Sequence, residues 1–315
     1  MKRLLLCLLL IPAGAAASCG SAFCTVNTDW AVQGAWTEPG TRLDFRYEYI
    51  NQDQPMSGSR KVAVGEIRKH HDEVYTYNRN YLTTIDRTID ANWGVNVLLP
   101  VVDREHLHIH NHMGAQLEER WDFTALGDVR VMARRRLASF EDQTPSASVA
   151  ALNFGLKLPT GKTDRKNADG DAAERSLQPG SGTTDLLVGA SYSSQRPVQN
   201  LSTFVQGLMQ LPLHSKDEYK PGNRVSLDAG VRYGVGEQVG LLLQANGLWR
   251  GRDRGAEAEP EDTGGTSLFL SPGVSYSIGK AINLYGFFQV PLYQYVNGVQ
   301  LTAKRAYTIG GTFRF

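Results

Sequence analysis

The stretch VSLDAGVRYGV, residues 225–235, alternates apolar and polar side chains along most of its length. The apolar positions are Val225, Leu227, Ala229, Val231 and Tyr233, and the polar positions include Ser226, Asp228 and Arg232. Successive side chains of a β-strand point to opposite faces, so a two-residue period separates these two sets. The stretch therefore predicts a strand with one apolar face and one charged face.

The same pattern recurs along the chain. It is clear in TRLDFRYEYI (41–50), YLTTIDRTIDANWGVNVLL (81–99) and GDVRVMARRRL (127–137). Weaker examples lie at about 148–158, 183–192, 201–212, 238–249, 267–278, 282–291 and 303–315. Together these make about eleven strands. An even number is expected for a closed antiparallel barrel, and KVAVGEI (61–67) is the best candidate for the missing strand.

Two architectures fit such strands, a soluble β-sandwich and a membrane β-barrel. The barrel is favoured because strands of about 10–12 residues can cross a bilayer at a tilt, whereas strands of globular proteins average about 5–6. The last strand, YTIGGTFRF (307–315), closes on Phe315 and looks like the C-terminal signal that the outer-membrane assembly machinery reads. We therefore predict an all-β, antiparallel transmembrane barrel of about 12 strands over residues 41–315, located in the cell outer membrane.

The N-terminal residues have a different character. Lys2 and Arg3 precede an apolar run and the small residues 15–17, a pattern that predicts a signal peptide over residues 1–17. Residues 18–40 are then expected either in the periplasm or as a plug in the lumen. Cys19 and Cys24 in this segment predict a local disulfide, and their C-x4-C spacing makes a redox or metal pair a weaker alternative.

Composition excludes some classes of function. Mean hydropathy is −0.32, and removal of Lys2 and Arg3 with the signal peptide changes the formal net charge from +1 to −1, which disfavours a nucleic-acid partner. Neither G-x-S-x-G nor H-E-x-x-H occurs, and His214-Ser215 alone does not make a catalytic site, so we predict no enzyme activity.

Charged residues on the polar strand faces are expected to line the lumen. The candidates are Arg42, Arg46, Arg130, Arg134, Arg136, Arg232, Asp86 and Asp90. They either pair across the lumen and hold the barrel, or form a constriction that selects solutes by charge. Arg130, Arg134 and Arg136 form the densest cationic row, which points to anions or aromatic solutes.

A row of histidines occupies HLHIHNH, residues 106–112. Short turns alternate with long connections, and this alternation puts the connection 100–127 on the extracellular side as an exposed loop. His106, His108, His110 and His112 would share one face of an extended segment there. Pairs of them could bind Zn²⁺ or Cu²⁺, alone or with His70, His71 or Asp103, and the alternative is a solvated loop without metal. No other cofactor is expected.

The stretch from Leu158 to Ser193 resembles a known family. Leu-Pro-Thr-Gly at 158–161, a polar loop, then Gly180-Ser181-Gly182 and Asp185 are similar to the family labelled "putative MetA-pathway of phenol degradation", and the resemblance extends over 81–315. Gly161, Gly180 and Gly182 are expected to take positive φ where the loop turns.

That resemblance implies an outer-membrane barrel related to porins for aromatic compounds, with small-molecule solutes and the lipid bilayer as partners. The leading hypothesis is a channel or transporter for small solutes. The alternatives are a surface metal-binding barrel that uses the histidine row, and a structural barrel that docks another exported protein.

Overall fold

The computed structural model describes residues 26–34, 38–141 and 147–315. The described residues fold into thirteen strands and two short 3-10 turns at Pro197–Gln199 and Pro260–Asp262. The strands are β1 (Gly40–Gly58), β2 (Arg60–Lys61), β3 (His71–Thr88), β4 (Trp93–His112), β5 (Ala115–Leu126), β6 (Arg130–Glu141), β7 (Ala147–Lys157), β8 (Asp185–Arg196), β9 (Leu201–Pro212), β10 (Arg224–Val235), β11 (Val239–Arg250), β12 (Gly265–Ile278) and β13 (Ile282–Arg314). In the described part of the chain, no helix is long and apolar enough to cross a membrane.

Eleven of these strands form one closed antiparallel barrel, and β2 and β5 pair outside the closed wall. The barrel closes where β1 pairs with β13, for example Tyr47 with Ile309. Phe315 and Thr41 exchange two backbone hydrogen bonds of 3.0 Å beside this closure. The end that contains Gly40 and Phe315 is called the lower end here, and the opposite end the upper end. The predicted all-β antiparallel barrel is confirmed.

Strand β13 crosses the wall twice. Its residues 282–296 pair with β12 and its residues 299–314 pair with β1. The chain reverses at Gly298, which has φ of +58°, and the Arg314 N–H donates to the Ala281 carbonyl at 2.8 Å. Eleven strands therefore make twelve passes, in agreement with the prediction of about 12.

The segment that was predicted to supply the twelfth strand crossing, residues 61–67, does not supply it. In the segment 61–67, Lys61 alone belongs to a strand, whereas the single strand expected over 81–99 is the end of β3, a turn and the start of β4. The turn over 89–92 contains four residues, an even number, so the alternation continues through it in phase. Asp90 forms this turn, because its Oδ1 accepts hydrogen bonds from the N–H groups of Asn92 and Trp93 at 2.7 and 2.8 Å.

Polarity in the barrel is inverted relative to a soluble protein. Buried side chains include Arg42, Asp44 and Asn78, whereas Phe45 and Leu241 are half exposed on the outer surface. An apolar exterior around a polar interior is the arrangement that a lipid environment requires.

The apolar surface ends part of the way up β3 and β4. On the outward face of β4, Val101 is followed by Asp103 and Glu105, which both pair with Arg79 on β3, at 3.1 and 3.3 Å. Outward-facing charges are unfavourable against hydrocarbon. The part of β4 beyond Asp103 therefore extends above the membrane.

This extension corrects the prediction of an exposed loop over residues 100–127. Strand β4 continues to His112 and pairs with β5, for example His106 opposite Trp121. The alternation of HLHIHNH belongs to this long hairpin, because a strand can continue into water when a second strand satisfies its backbone.

The connection 158–184, called the inner loop here, packs into the upper part of the barrel. Leu177 of this loop is 1% exposed and packs in one apolar cluster with Trp121 and Phe123 of β5. The Trp121 indole N–H donates to the Asp171 carbonyl at 3.1 Å, and Arg104 of β4 donates to the Leu177 carbonyl.

Asp128 fastens the base of the inner loop. Its carboxylate accepts hydrogen bonds from the Gly161 N–H at 3.0 Å, the Ser181 N–H at 2.9 Å and the Lys157 ammonium at 2.9 Å. The glycine prediction holds for Gly182, with φ of +74°.

For the other two glycines the predicted reason was wrong. Gly161 and Gly180 do not have a positive φ. Their backbones approach so closely that a Cβ on Gly161 would lie 2.7 Å from the Gly180 Cα, so close packing requires glycine there.

We expect Asp128→Ala to loosen the inner loop. Each lost hydrogen bond to a charged group is worth about 1.5–3 kcal/mol, so removal of the anchor should raise tryptic cleavage after Arg175 by roughly tenfold or more. Mass spectrometry of the digested, detergent-solubilised protein measures the rate. The exposed Asp164 in the same loop gives the control Asp164→Ala, which should leave the rate unchanged. Equal rates in all three proteins would contradict the anchoring role.

Candidate functional site

Residues 26–34, called the plug segment here, lie inside the lower half of the lumen. Trp30 is 5% exposed, and its ring centroid lies 5.1 Å from that of Tyr285 in an edge-on contact. The Asn27 N–H donates to the Gln244 side-chain oxygen at 3.0 Å, and the Gln244 amide donates back to the Asn27 carbonyl at 2.8 Å. The Asn27 side chain also donates to Gln206.

The signal peptide predicted over 1–17 and the predicted disulfide between Cys19 and Cys24 lie outside the described residues. The boundaries proposed for the segment 18–40 stay a prediction.

Three of the predicted lumen charges form an ion-pair network around the plug segment. Asp86 pairs with Arg42 and, at 3.4 Å, with Arg134. Arg134 also lies 3.6 Å from Asp29 of the plug segment. Thr88 completes the network by accepting a hydrogen bond from Arg42 at 2.7 Å. These charges are paired, which favours a structural role for Arg42, Asp86 and Arg134.

Three other predicted lumen residues lie near the lower rim. Asp90 is exposed in the turn 89–92, so its predicted place in the lumen is wrong because β3 ends at Thr88. Arg136 donates to the Ala91 carbonyl of the same turn at 3.2 Å. Arg232 lies beside Gly240 near the end of β10.

The lumen contains two cavities of about 280 and 230 Å³. The lower cavity lies against the plug segment, and the upper cavity lies beneath the inner loop from Arg175 to Ser181. Five residues line both cavities: Arg46, Leu98, Arg130, Gln210 and Arg224. Three of the five are arginines, called the arginine ring here, and they separate the two cavities.

The arginine ring combines predicted and unpredicted residues. Arg46 pairs with Glu48 at 2.8 Å, whereas the Arg130 side chain makes no direct ion pair in the described part of the chain and interacts with Asp185 and Asp128 at longer range. Arg224 was not predicted from the sequence. The signal was present, because Arg224 stands two residues before Ser226 on the polar face of the same strand.

A cluster of histidines and glutamates forms where β3, β4, β5 and the inner loop meet above the membrane. Its members, called the His–Glu cluster here, are His70, His71, His106, His108, His110, Glu73, Glu119 and Glu174. His106 and His108 are 0% and 1% exposed. The prediction that these two rings lie in an exposed loop is wrong, because β5 and the inner loop cover them.

His108 lies at the centre of this cluster. Its Nε2 is 2.9 Å from Glu119 of β5, and its Nδ1 is 3.9 Å from Glu174 of the inner loop. Its ring stacks on His71 with centroids 4.3 Å apart and an interplanar angle of 11°. On the next ring of the row, His110 Nδ1 is 3.0 Å from the other Glu119 oxygen.

Burial decides the charge state of these rings. Burial, followed by the fields of neighbouring histidines, lowers the pKa of His71 to about 3. Burial also lowers the pKa of His106 well below its ordinary value. Both imidazoles are therefore neutral at neutral pH, the state in which a ring nitrogen can ligate a metal.

Three combinations in the cluster bring ligand atoms within 4.8 Å of one another: His70 with His71 and His110; His71 with His108 and Glu174; and Glu73 with His106 and His108. Three of the four predicted histidines take part, and His112 is exposed and belongs to none of these sets. Asp103 faces outward and pairs with Arg79. The sequence did not identify the three glutamates, because they come from segments far apart in the chain.

A closed barrel with an apolar exterior, a polar lumen and a plugged interior defines an outer-membrane β-barrel protein. The chain belongs to the family described as "Putative MetA-pathway of phenol degradation", whose model matches residues 73–309. Comparison with curated proteins gives no match.

Several solved structures are similar to this chain. An outer membrane channel from Pseudomonas putida superposes with a TM-score of 0.67 at 12% identity, over 88% of this chain and 96% of that one. The translocator domain of the autotransporter NalP from Neisseria meningitidis gives 0.46 at 11% identity, over 90% and 92% of the two chains. The NanC porin gives 0.45 at 12% identity, over 87% and 100%.

Proposed function

We propose that this protein is an outer-membrane channel for small organic anions. The observation that carries the proposal is the arginine ring between two lumen cavities. A passing solute has to move from one cavity to the other between Arg46, Arg130 and Arg224, and a ring of cations favours anions at such a point. The Pseudomonas putida protein of the same fold is an outer membrane channel, which supports the proposal.

The lower cavity suggests that the anion also carries an apolar part. Leu98, Met132, Leu208 and Leu248 line this cavity together with the arginines. Apolar side chains beside fixed cations suit an aromatic ring with a carboxylate, because the ring leaves water and the carboxylate keeps a charged partner. Aromatic carboxylates are therefore the substrate class that we propose.

Planar-bilayer recording tests the channel. The mature protein should give discrete conductance steps, a reversal potential in a KCl gradient that shows anion preference, and partial block by millimolar benzoate from either side. Block by benzoate but not by benzyl alcohol would support recognition of the carboxylate. Absence of conductance from folded protein would contradict the channel and favour a structural barrel.

A further inference from the structure

We propose that His71, His108 and Glu174 bind one divalent transition-metal ion of the zinc class, and that this ion fastens the inner loop to strands β3 and β4. Two imidazoles and one carboxylate are a donor set that Zn²⁺ accepts readily. The binding part of the proposal is independent of the channel function. The effect of the ion on the passage of solutes rests on the proposed channel function.

The distances are close to those of a metal site. The three ligand atoms lie within 4.8 Å of one another, and His108 Nδ1 is 3.9 Å from the Glu174 carboxylate. Two ligands of one tetrahedral ion with bonds of about 2.0–2.1 Å stand roughly 3.4 Å apart. A movement of about half an ångström brings His108 Nδ1 and Glu174 to that separation, and no pair of ligand atoms has to move closer by more than about 1.4 Å. A water molecule would complete four-coordination.

Glu119 orients His108 for this role. The Nε2–H of His108 donates to Glu119 at 2.9 Å, so Nδ1 carries the lone pair. This Nδ1 lies 3.9 Å from Glu174 and accepts a hydrogen bond from His106 Nε2 at 3.3 Å, a bond that an ion on Nδ1 would replace. A carboxylate that holds the far nitrogen of a histidine ligand is the usual second partner of protein metal sites. The stacked ring of His71 brings the second imidazole beside the first.

The three ligands come from three different segments. His71 begins β3, His108 lies near the end of β4, and Glu174 belongs to the inner loop. The other two candidate sets use β3, β4 and His70, the residue directly before β3, and contain no residue of the inner loop. An ion in the proposed set is therefore the one that joins the inner loop to the wall. Since the inner loop roofs the upper cavity, the ion would stabilise the closed position of that roof.

Isothermal titration with ZnCl₂ tests the site in detergent-solubilised mature protein purified through a tag without histidine. We expect one ion per chain at pH 7.5. Glu174→Gln and His71→Gln should each weaken binding by about tenfold or more, the scale of effects seen when metal-site residues are changed. The matched controls are His112→Gln, on the same strand but outside the cluster, and His214→Gln in a distant loop, and both should bind as the unmodified protein does.

Two further variants separate the candidate sets. Glu73→Gln removes a ligand from the deeper set and His70→Gln removes one from the exposed set, and neither should weaken binding tenfold. No zinc binding by the folded protein would overturn the proposal. Loss of binding in Glu73→Gln or His70→Gln with normal binding in Glu174→Gln would overturn this choice of ligands.

Limited proteolysis tests separately whether the ion holds the inner loop against the strands. Zinc should slow tryptic cleavage after Arg175 several-fold in the unmodified protein and leave the Glu174→Gln rate unchanged. Zinc binding without any change in cleavage would overturn the fastening. Because calorimetry and proteolysis do not use conductance, a failed channel recording leaves these results interpretable.

Discussion

A protein that lacks residues 18–34 should conduct roughly three-fold or more current per channel than the complete mature protein, since ion flow depends on the narrowest cross-section of a pore. The plug segment fills the lower lumen through Trp30 and Asn27. Its side chains replace water that would otherwise carry ions between the lower cavity and the lower opening. Single-channel recording in planar bilayers at 1 M KCl measures the change.

A separate control has to show that the shortened protein folds. The plug segment contributes no strand to the barrel, so the shortened chain should keep its heat-modifiable migration on gels. Trp30→Phe retains an aromatic ring beside Tyr285 and should conduct like the complete protein. A well-folded shortened protein with unchanged conductance would mean that the segment does not obstruct the path.

Replacing Arg46, Arg130 and Arg224 together by glutamine should lower the anion-to-cation permeability ratio at least tenfold. One unit charge at 4 Å contributes about 1 kcal/mol even in bulk water, so three charges contribute roughly 3 kcal/mol, or about a hundredfold. Glu48 offsets part of this field through its pair with Arg46. Reversal potentials in a tenfold KCl gradient give the ratio.

The matched control is Arg136→Gln at the lower rim, which removes an arginine from the barrel but not from the ring. Its permeability ratio should equal that of the unmodified protein. An unchanged ratio in the triple variant would identify the ring arginines as structural. A changed ratio in Arg136→Gln of similar size would show that overall charge, not the ring, sets selectivity.

The barrel could be predicted from the sequence because it depends on local alternation. Leu43, Phe45 and Tyr47 face outward and Arg42 and Asp44 face inward, as a two-residue period requires. The same rule failed at the turn 89–92, where an even number of residues kept the alternation in phase. A two-residue period therefore shows reliably which side chains share a strand face, but it locates the ends of strands poorly.

The sites depend on long-range contacts, which alternation does not contain. Arg130, Arg134 and Arg136 look equivalent on one strand face, yet Arg134 pairs with Asp86 and Asp29, Arg136 binds a turn, and Arg130 lines both cavities. The histidine row was recognised, but its burial depends on a loop some 60 residues later in the chain that contributes Glu174. Neither result follows from neighbours in sequence.

The extension of β4 and β5 above the membrane means that one chain folds in two solvents. Below Asp103, the lipid environment favours an apolar barrel exterior and a polar lumen. Above it, water surrounds the hairpin, and its interior contains an apolar cluster of Trp121, Phe123, Ala173, Leu177 and Leu301 beside the buried His–Glu cluster. Denaturants that act through water should therefore melt the upper part first, as a separate transition, while the lipid-solvated wall persists.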